Sequence, residues 1–470
     1  MIEWEAWSAD AFARATRERK PILLAITAAW CGACHEMDRT TYAHPDVAAL
    51  IAGGFVPVRV DTDRRPDINE RYNLGGWPTT AFLTPGGDVL AGGTFVPVDR
   101  MPGVLRRVLD ACDRDAALVA GDGPADRDRA QASGAACGRA PLDGQDLLDA
   151  AFSTYDEAHG GFGIEPKFPH TAPIHLAIDL WRETGAPRWR AIVERTLDAM
   201  ADGGLRDGGG GYFRYAATRD WQRPHREQLL DTNAAVLRAC AESTIAFGRG
   251  ADRDRCASIV AFLRGTLGAD GGGFYGSADD RALYAESNAL ATRALLAASL
   301  ALDDPAIGTD ALASFERVLL ACYRPGEGVA HYFDGRASVR GLAADQIGSA
   351  AALLDAYELG AGEPYAMLAE ELARHAVADM WDGHGGGLFD RAPAPDDVGL
   401  LRQRRKPFVL NAETASLLAR LGQLRGLPDL NVRAPAALAA AAVQLDGQGP
   451  LAAHYVLALR MVDSADRENG

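Results

Sequence analysis

From Pro141 onward one pattern repeats. A helical stretch ends in a glycine-rich loop, and the next helix follows at once. The loops are Gly160-Gly-Phe-Gly163, Asp207-Gly-Gly-Gly-Gly-Tyr-Phe213, Asp270-Gly-Gly-Gly-Phe-Tyr275, Gly326-Glu-Gly328 with Tyr332-Phe333, Asp382-Gly-His-Gly-Gly-Gly-Leu-Phe389, and a worn copy at Asp446-Gly-Gln-Gly449. They recur roughly every 50–60 residues, a period that marks a repeat architecture. The remaining helix-to-helix connections, around Gly185, Gly248 to Ala251, Asp303 to Pro305, Gly360 to Glu363 and Gly426 to Pro428, are short. Long and short connections therefore alternate along about twelve helical segments. Six antiparallel pairs with every long loop at one end predict a closed, all-α (α/α)6 toroid over 141–470. Its inner helices are the ones that follow the glycine-rich loops, and its ligand-binding residues belong on those loops.

Residues 1–118 follow a different grammar. Ser8 to Lys20 is a helical pattern with a Ser cap. Pro21 to Thr27 is a short apolar run of buried-strand type. Cys34 to Ala52 reads as a helix kinked at Pro45, Phe55 to Val60 as a second strand, Thr79 to Leu83 as a third, and Val89 to Phe95 as a fourth that pairs back across the turn Pro85-Gly-Gly-Asp88. Alternation of this kind predicts an α/β domain with a central sheet. Residues 119–140 are small, polar and aperiodic, and read as a linker.

The net charge of -16 gives no basic footprint for nucleic acid and disfavours an anionic membrane surface. No apolar run approaches the ~20 residues of a membrane-spanning helix. Met1 to Arg19 holds Glu3, Glu5, Asp10 and Glu18 and lacks the layout of a secretory signal, so a cytoplasmic, reducing location is expected. Of seven cysteines only Cys31 and Cys34 are close together, which argues against a disulfide framework and points to a redox or metal pair.

Ala29-Trp-Cys-Gly-Ala-Cys34 directly follows a strand and opens a helix. A helix N-terminus stabilises a thiolate through its free N–H groups and its dipole. At this spacing Cys31 is the outer nucleophile beside Trp30, and Cys34 resolves the mixed disulfide. Three other readings compete. Cys31-Gly-Ala-Cys-His35 matches the haem-attachment string, but covalent haem needs an exported chain. Zinc needs about four ligands, and only Cys31, Cys34, His35 and His44 are near in sequence. Two unreactive thiols are the last alternative. The expectation is a redox pair with no metal and no cofactor.

Trp30-Cys-Gly-Ala-Cys34 with Trp77-Pro78-Thr79 resembles the thioredoxin superfamily, and the resemblance implies a cis-proline at Pro78 facing the dithiol. A longer set is more specific: Asp61 to Ile68, Gly75 to Pro85, Gly92 to Phe95, Gly160 to Gly163, Pro166-Lys-Phe-Pro-His170, Gly209 to Tyr215, and Pro224-His225 with Glu227. Together these resemble the spermatogenesis-associated (YyaL-like) thioredoxin-domain family. The resemblance implies a thioredoxin-like domain joined to a helical domain of the six-hairpin glycosidase or N-acylglucosamine 2-epimerase type. Two positions depart. Thioredoxin carries a buried Asp six positions before its first Cys, where this chain has Ala25, leaving His35, Glu36 or Asp38 as proton acceptors. The family's Tyr-Asp step after Glu227 appears as Asp231-Thr232.

In the toroid, polar residues gather at the starts of the expected inner helices: Lys167 and His170; Arg214 and Tyr215; His225, Glu227, Asp231 and Asn233; Glu286 and Asn288; Asp345 and Gln346; Asn411 and Glu413. If the ring closes, they face one mouth. Carboxylates and aromatics suit a sugar-like ligand, with glycoside hydrolysis or proton transfer beside a carbonyl as the chemistry. The plainer alternative is that these residues cap helices and anchor turns. The leading expectation is a thiol–disulfide oxidoreductase, acting on a protein disulfide substrate or redox partner, fused to a carbohydrate-type toroid. The alternatives are a sugar-processing toroid with a structural N-terminal domain, and a non-catalytic interaction protein.

Overall fold

The computed structural model describes residues 2–119, 144–395 and 397–469, and the linker expected at 119–140 lies, apart from Val119, outside them. The chain divides into two units. Unit 1 is Met1–Cys137 with Pro393–Arg404, and unit 2 is Gly138–Ala392 with Arg405–Gly470.

Unit 1 is built on a five-stranded sheet of order β1-β3-β2-β4-β5, with β1 Glu5–Ala6, β2 Ile22–Thr27, β3 Val56–Asp61, β4 Thr79–Leu83 and β5 Val89–Gly93. β1, β3 and β2 run parallel; β4 and β5 are antiparallel. Central β2 is apolar on both faces because both are covered. Ile22, Leu24 and Ile26 pack with Trp7, Phe12 and Tyr72, while Leu23 and Ala25 pack with Met37, Phe55 and Phe82. The helices are α1 Ala9–Glu18, α2 Gly32–Met37, α3 Pro45–Gly54, α4 Pro66–Tyr72 and α5 Met101–Arg114. The single kinked helix expected over 34–52 is two helices. A π turn at Asp38–Tyr42 ends the first, and His44 caps the second, in which Pro45 sits where no N–H is needed.

The segment Pro393–Arg404, counted from sequence with the helical region, clusters with unit 1. Val398 and Leu401 join the apolar cluster under β2. Arg71 donates to the carbonyls of Leu400 (3.0 Å) and Gln403 (2.7 Å). The Tyr72 hydroxyl accepts from Leu400 N at 2.8 Å and donates to Gly87 O at 2.9 Å.

Unit 2 holds α6 Gly144–Phe152, α7 Ala172–Thr184, α8 Pro187–Asp202, α9 Leu230–Phe247, α10 Gly250–Phe262, α11 Ala285–Leu302, α12 Pro305–Cys322, α13 Ala343–Glu358, α14 Glu363–Met380, α15 Phe408–Arg425, α16 Pro428–Asn431, α17 Arg433–Ala442 and α18 Ala452–Asn469. Helices α7, α9, α11, α13, α15 and α18 pack in sequence and α18 returns to α7, which closes the inner ring. Each packs on an outer partner: α8, α10, α12, α14, α17 and α6 respectively. The inner helices are those that follow the glycine-rich loops, as the period predicts. They are rich in buried alanine, which lets neighbouring helices approach on several sides. Among the described residues no helix is long and apolar enough to cross a membrane.

Candidate functional site

The dithiol sits at the β2–α2 junction. Cys31 is the N-cap of α2, its sulfur accepts the Cys34 N–H at 3.1 Å, and the two cysteines are joined as a disulfide. Both sulfur-bearing residues are buried in this oxidised state, Cys31 less so, at 5% exposure against 1% for Cys34. Trp30 is fixed by its indole N–H on Asp63 Oδ2 (2.5 Å) and packs edge-on to Trp77. Trp77 donates in turn to Asn69 Oδ1, and the Trp77–Pro78 peptide is cis.

Ala25, at the position of thioredoxin's buried acid, pairs across the sheet with Thr80. The Thr80 hydroxyl meets the Tyr42 hydroxyl at 2.9 Å, and burial pushes Tyr42 up to about 12. The polar pair beside Ala25 is thus two neutral hydroxyls. Of the substitutes expected nearby, His35 and Glu36 are exposed, and Asp38 is engaged by the Arg59 guanidinium.

In unit 2 the candidates fall into three groups. The first braces loops. Asn233, Asn288 and Asn411 each accept a loop N–H at 2.7 Å, from Tyr212, Phe274 and Leu388, and return two N–H bonds to carbonyls of that residue and of the residue four positions before the amide. Gln346 does the same with Val329 and Leu342. The glycine before the gripped residue leaves room for the amide: a Cβ on Gly387, at φ +77°, would lie 2.6 Å from Asn411 Oδ1. Lys167 also braces. It is fully buried, donating to Asp156 Oδ2 (2.8 Å) and Arg219 O (2.9 Å) over the Trp221 ring.

The second group is a stack beside the short Tyr215/His225 strand pair. The Tyr215 ring lies between His225 (4.2 Å) and Phe168 (4.7 Å), with the Arg214 guanidinium over it. Arg214 N donates to Glu227 O, and Glu227 Oε2 is buried without a hydrogen-bond partner among the described residues.

The third group gathers in and just before the first two turns of the inner helices. Asp345 is fully buried and accepts from, or bonds to, His331 Nδ1 at 3.0 and 3.1 Å. Burial, reinforced by Asp345 and Glu413 and more weakly by Asp231, raises Glu286 to about 8, with His331 acting in the opposite sense. Near neutral pH Glu286 therefore carries a proton. Glu413 Oε1 lies 3.5 Å from His454 Nδ1, and burial holds both His454 and His170 below the ordinary imidazole range. The structure thus brings Asp231, Glu286, Asp345 and Glu413 together, and adds His331 and His454, which sequence reasoning missed. His331 stands two residues after gripped Val329, as Arg214 stands two after gripped Tyr212, a register visible only once the grips are known. A protonated carboxyl, a carboxylate–imidazole pair and neutral imidazoles facing one lumen can give and take protons.

Residues 1–115 match a thioredoxin-type family model, Thioredox_DsbH, described as "Protein of unknown function, DUF255". Spermatogenesis-associated protein 20 of Mus musculus is 28% identical over 309 residues, covering 59% of this chain and 38% of that protein. The chain thus aligns to well under half the length of those relatives. Thioredoxin-1 of Drosophila melanogaster is 34% identical over 64 residues, 14% of this chain and 57% of that protein. Among solved structures, a D-mannose isomerase superposes with TM-score 0.57 at 13% identity, covering 68% of this chain and 96% of that one. A cellobiose 2-epimerase from Spirochaeta thermophila gives 0.56 at 17%, covering 69% and 97%. At such identity the likeness is one of fold. The chain therefore joins a thioredoxin-like domain, with its Cys31–Cys34 pair, to a helical toroid with the fold of sugar epimerases, and is homologous to spermatogenesis-associated protein 20 over 59% of its own length.

Proposed function

We propose that unit 1 is a thiol–disulfide oxidoreductase that reduces a disulfide in a partner protein. The observation that carries this is the Cys31 sulfur at the N-cap of α2, receiving a backbone N–H, with Cys34 bonded to it. In the reduced protein the Cys31 thiolate attacks one sulfur of the partner disulfide and displaces the other as thiolate. The Cys34 thiolate then attacks the Cys31 sulfur. The partner leaves as a dithiol, Cys31–Cys34 closes, and an external dithiol resets it. Trp30, Trp77 and Pro78 supply the docking surface around the sulfur. In the Cys34→Ser variant, mixed disulfides are expected to accumulate at Cys31, visible as mass adducts released by reductant, and none in the Cys31→Ser variant. Absence of any reductant-sensitive adduct on Cys34→Ser, together with no reversible disulfide in the native chain, refutes the assignment.

A second reading is supported by the lumen, where the proton on Glu286 lies among Asp345, His331 and Glu413. There the toroid binds a sugar-like molecule, with Glu286 as acid and the Asp345-held His331 as base. The proton is testable without a substrate. Native Glu286 holds it to about pH 8, while an unfolded glutamate releases it near 4.5. Between those values the unfolded state binds fewer protons, so this group's contribution to stability falls as pH rises and levels off above about 8. Glu286→Gln removes that slope. Its melting temperature should gain about 3–6 °C on wild type between pH 6 and pH 9. Parallel melting curves across that range would sink the assignment of the proton.

A further inference from the structure

Beneath the acidic mouth lies a second tier. Helices α9, α11 and α15 each carry an acid and, seven residues on, an arginine: Asp231 and Arg238, Glu286 and Arg293, Glu413 and Arg420. Seven residues are two turns, about 10 Å down an inner helix. Arg293 and Arg420 both close on Asp355 at 2.7 Å, and Arg420 also reaches Glu358 at 2.5 Å.

Arg238 is different. Its Nε donates to Glu242 Oε1 at 2.8 Å, while Nη1 and Nη2 have no hydrogen-bond partner among the described residues. Its side chain keeps 35% exposure midway along an inner helix. It feels the charges of Glu242, Asp355 and Glu413, and Arg293 and His454 feel it. Those residues stand on α9, α13, α15, α11 and α18. Charges on four other inner helices thus act on or respond to Arg238, which places its guanidinium toward the inside of the ring. Glu242 is held in turn by His175 Nδ1 at 2.7 Å, so the fork is braced from behind and open toward the lumen.

We propose that Arg238 anchors a carboxylate, so that the lumen takes a sugar acid with its hydroxyls among Glu286, Asp345 and His331 and its carboxylate on Nη1 and Nη2. This rests on the lumen reading above. A guanidinium fork matches a planar carboxylate bidentately. A phosphate dianion fits less well, because Asp355 and Glu358 already answer Arg293 and Arg420 and Glu242 answers Arg238 Nε, which leaves one guanidinium edge rather than several cations. The upper tier repels the carboxylate, which sets the ligand's direction.

Titration calorimetry of the full chain with D-glucuronate, D-glucose and glucose 6-phosphate tests this. Glucuronate is expected to bind at least tenfold more tightly than either of the others. Arg238→Gln should bring the glucuronate-to-glucose ratio to near one, and Arg238→Lys, which keeps the charge and loses the fork, should fall between. Equal binding of glucuronate and glucose by the wild type, or a preference that survives Arg238→Gln, overturns the anchor and leaves the lumen a sugar site. Binding of none of the three overturns the anchor and the lumen reading together. If Arg238→Gln melts below the wild type, the wild-type order of the probes and Arg238→Lys decide.

Discussion

A chain ending at Leu118 is expected to melt at least about 10 °C below unit 1 in the full chain, or not to fold. Val398 and Leu401 come from a segment hundreds of residues away, yet they belong to the apolar cluster of Trp7, Phe12, Ile22 and Tyr72. Removing them exposes the cluster. Leu401 alone is 1% exposed, and deleting such a side chain costs about 2–5 kcal/mol. The Arg71 and Tyr72 bonds to the segment's backbone vanish with it. Against a stability of about 5–15 kcal/mol, and about 4–8 °C per kcal/mol for a domain of this size, the loss is large. Leu401→Ala in the full chain should show a smaller drop confined to unit 1, seen as faster amide exchange in β2 and β4. Unchanged exchange there, together with a fully stable 1–118 fragment, would contradict the packing account.

Asp156→Ala should destabilise unit 2 by about 3–5 kcal/mol, lowering its melting temperature by about 6–20 °C. Asp156 is 4% exposed and accepts five bonds: from Lys167 Nζ, from Arg219 Nε and Nη2, and from the N–H groups of Ala158 and His159. Removing it strands the fully buried Lys167 ammonium with one carbonyl. Lys167→Met should cost clearly less, because Asp156 keeps Arg219 and two backbone donors. The Arg219 and Lys167 hydrogen bonds hold the Asp156 carboxyl well below its usual range against the opposing effect of burial. A depressed acid contributes stability above its unfolded value near 3.8 and loses it as pH falls. Wild type should therefore lose melting temperature below pH 4 more steeply than Asp156→Ala. Calorimetry across pH 2.5–7 checks both points, and equal costs for the two substitutions would count against the brace.

What depends on period or on a short apolar run could be read from the chain. β2 to β5 stand within a residue or two of their expected places, and the inner helices follow the glycine-rich loops. What depends on partners distant in sequence could not. Pro393–Arg404 has the composition of an ordinary loop, and nothing local announces Tyr72, 328 positions away, as its partner. The carboxamides illustrate a subtler gap. Asn233, Asn288, Gln346 and Asn411 were visible as polar residues at helix starts, but their grip on loop backbone needs three dimensions. Lys167 looked like a mouth residue because it sits in a polar string, whereas Asp156 and Arg219 O draw it fully inside. His331 lay unnoticed between two loop landmarks, and Arg238 in mid-helix, where a charge ordinarily signals a solvated face. The repeated step of seven between acid and arginine stands in the sequence, but it gains meaning only when the three helices belong to one closed ring.

The late segment in unit 1 also sets a timetable. Synthesis runs from the N-terminus at about 5–20 residues per second, and about 280 residues separate Leu118 from Leu401. For roughly 15–60 seconds the nascent chain carries a dithiol domain that lacks part of its own hydrophobic interior. Until Leu401 emerges, the apolar cluster around Trp7, Phe12 and Tyr72 stays partly uncovered, so the dithiol domain is completed only after helices α6 to α14 of the toroid have been synthesised.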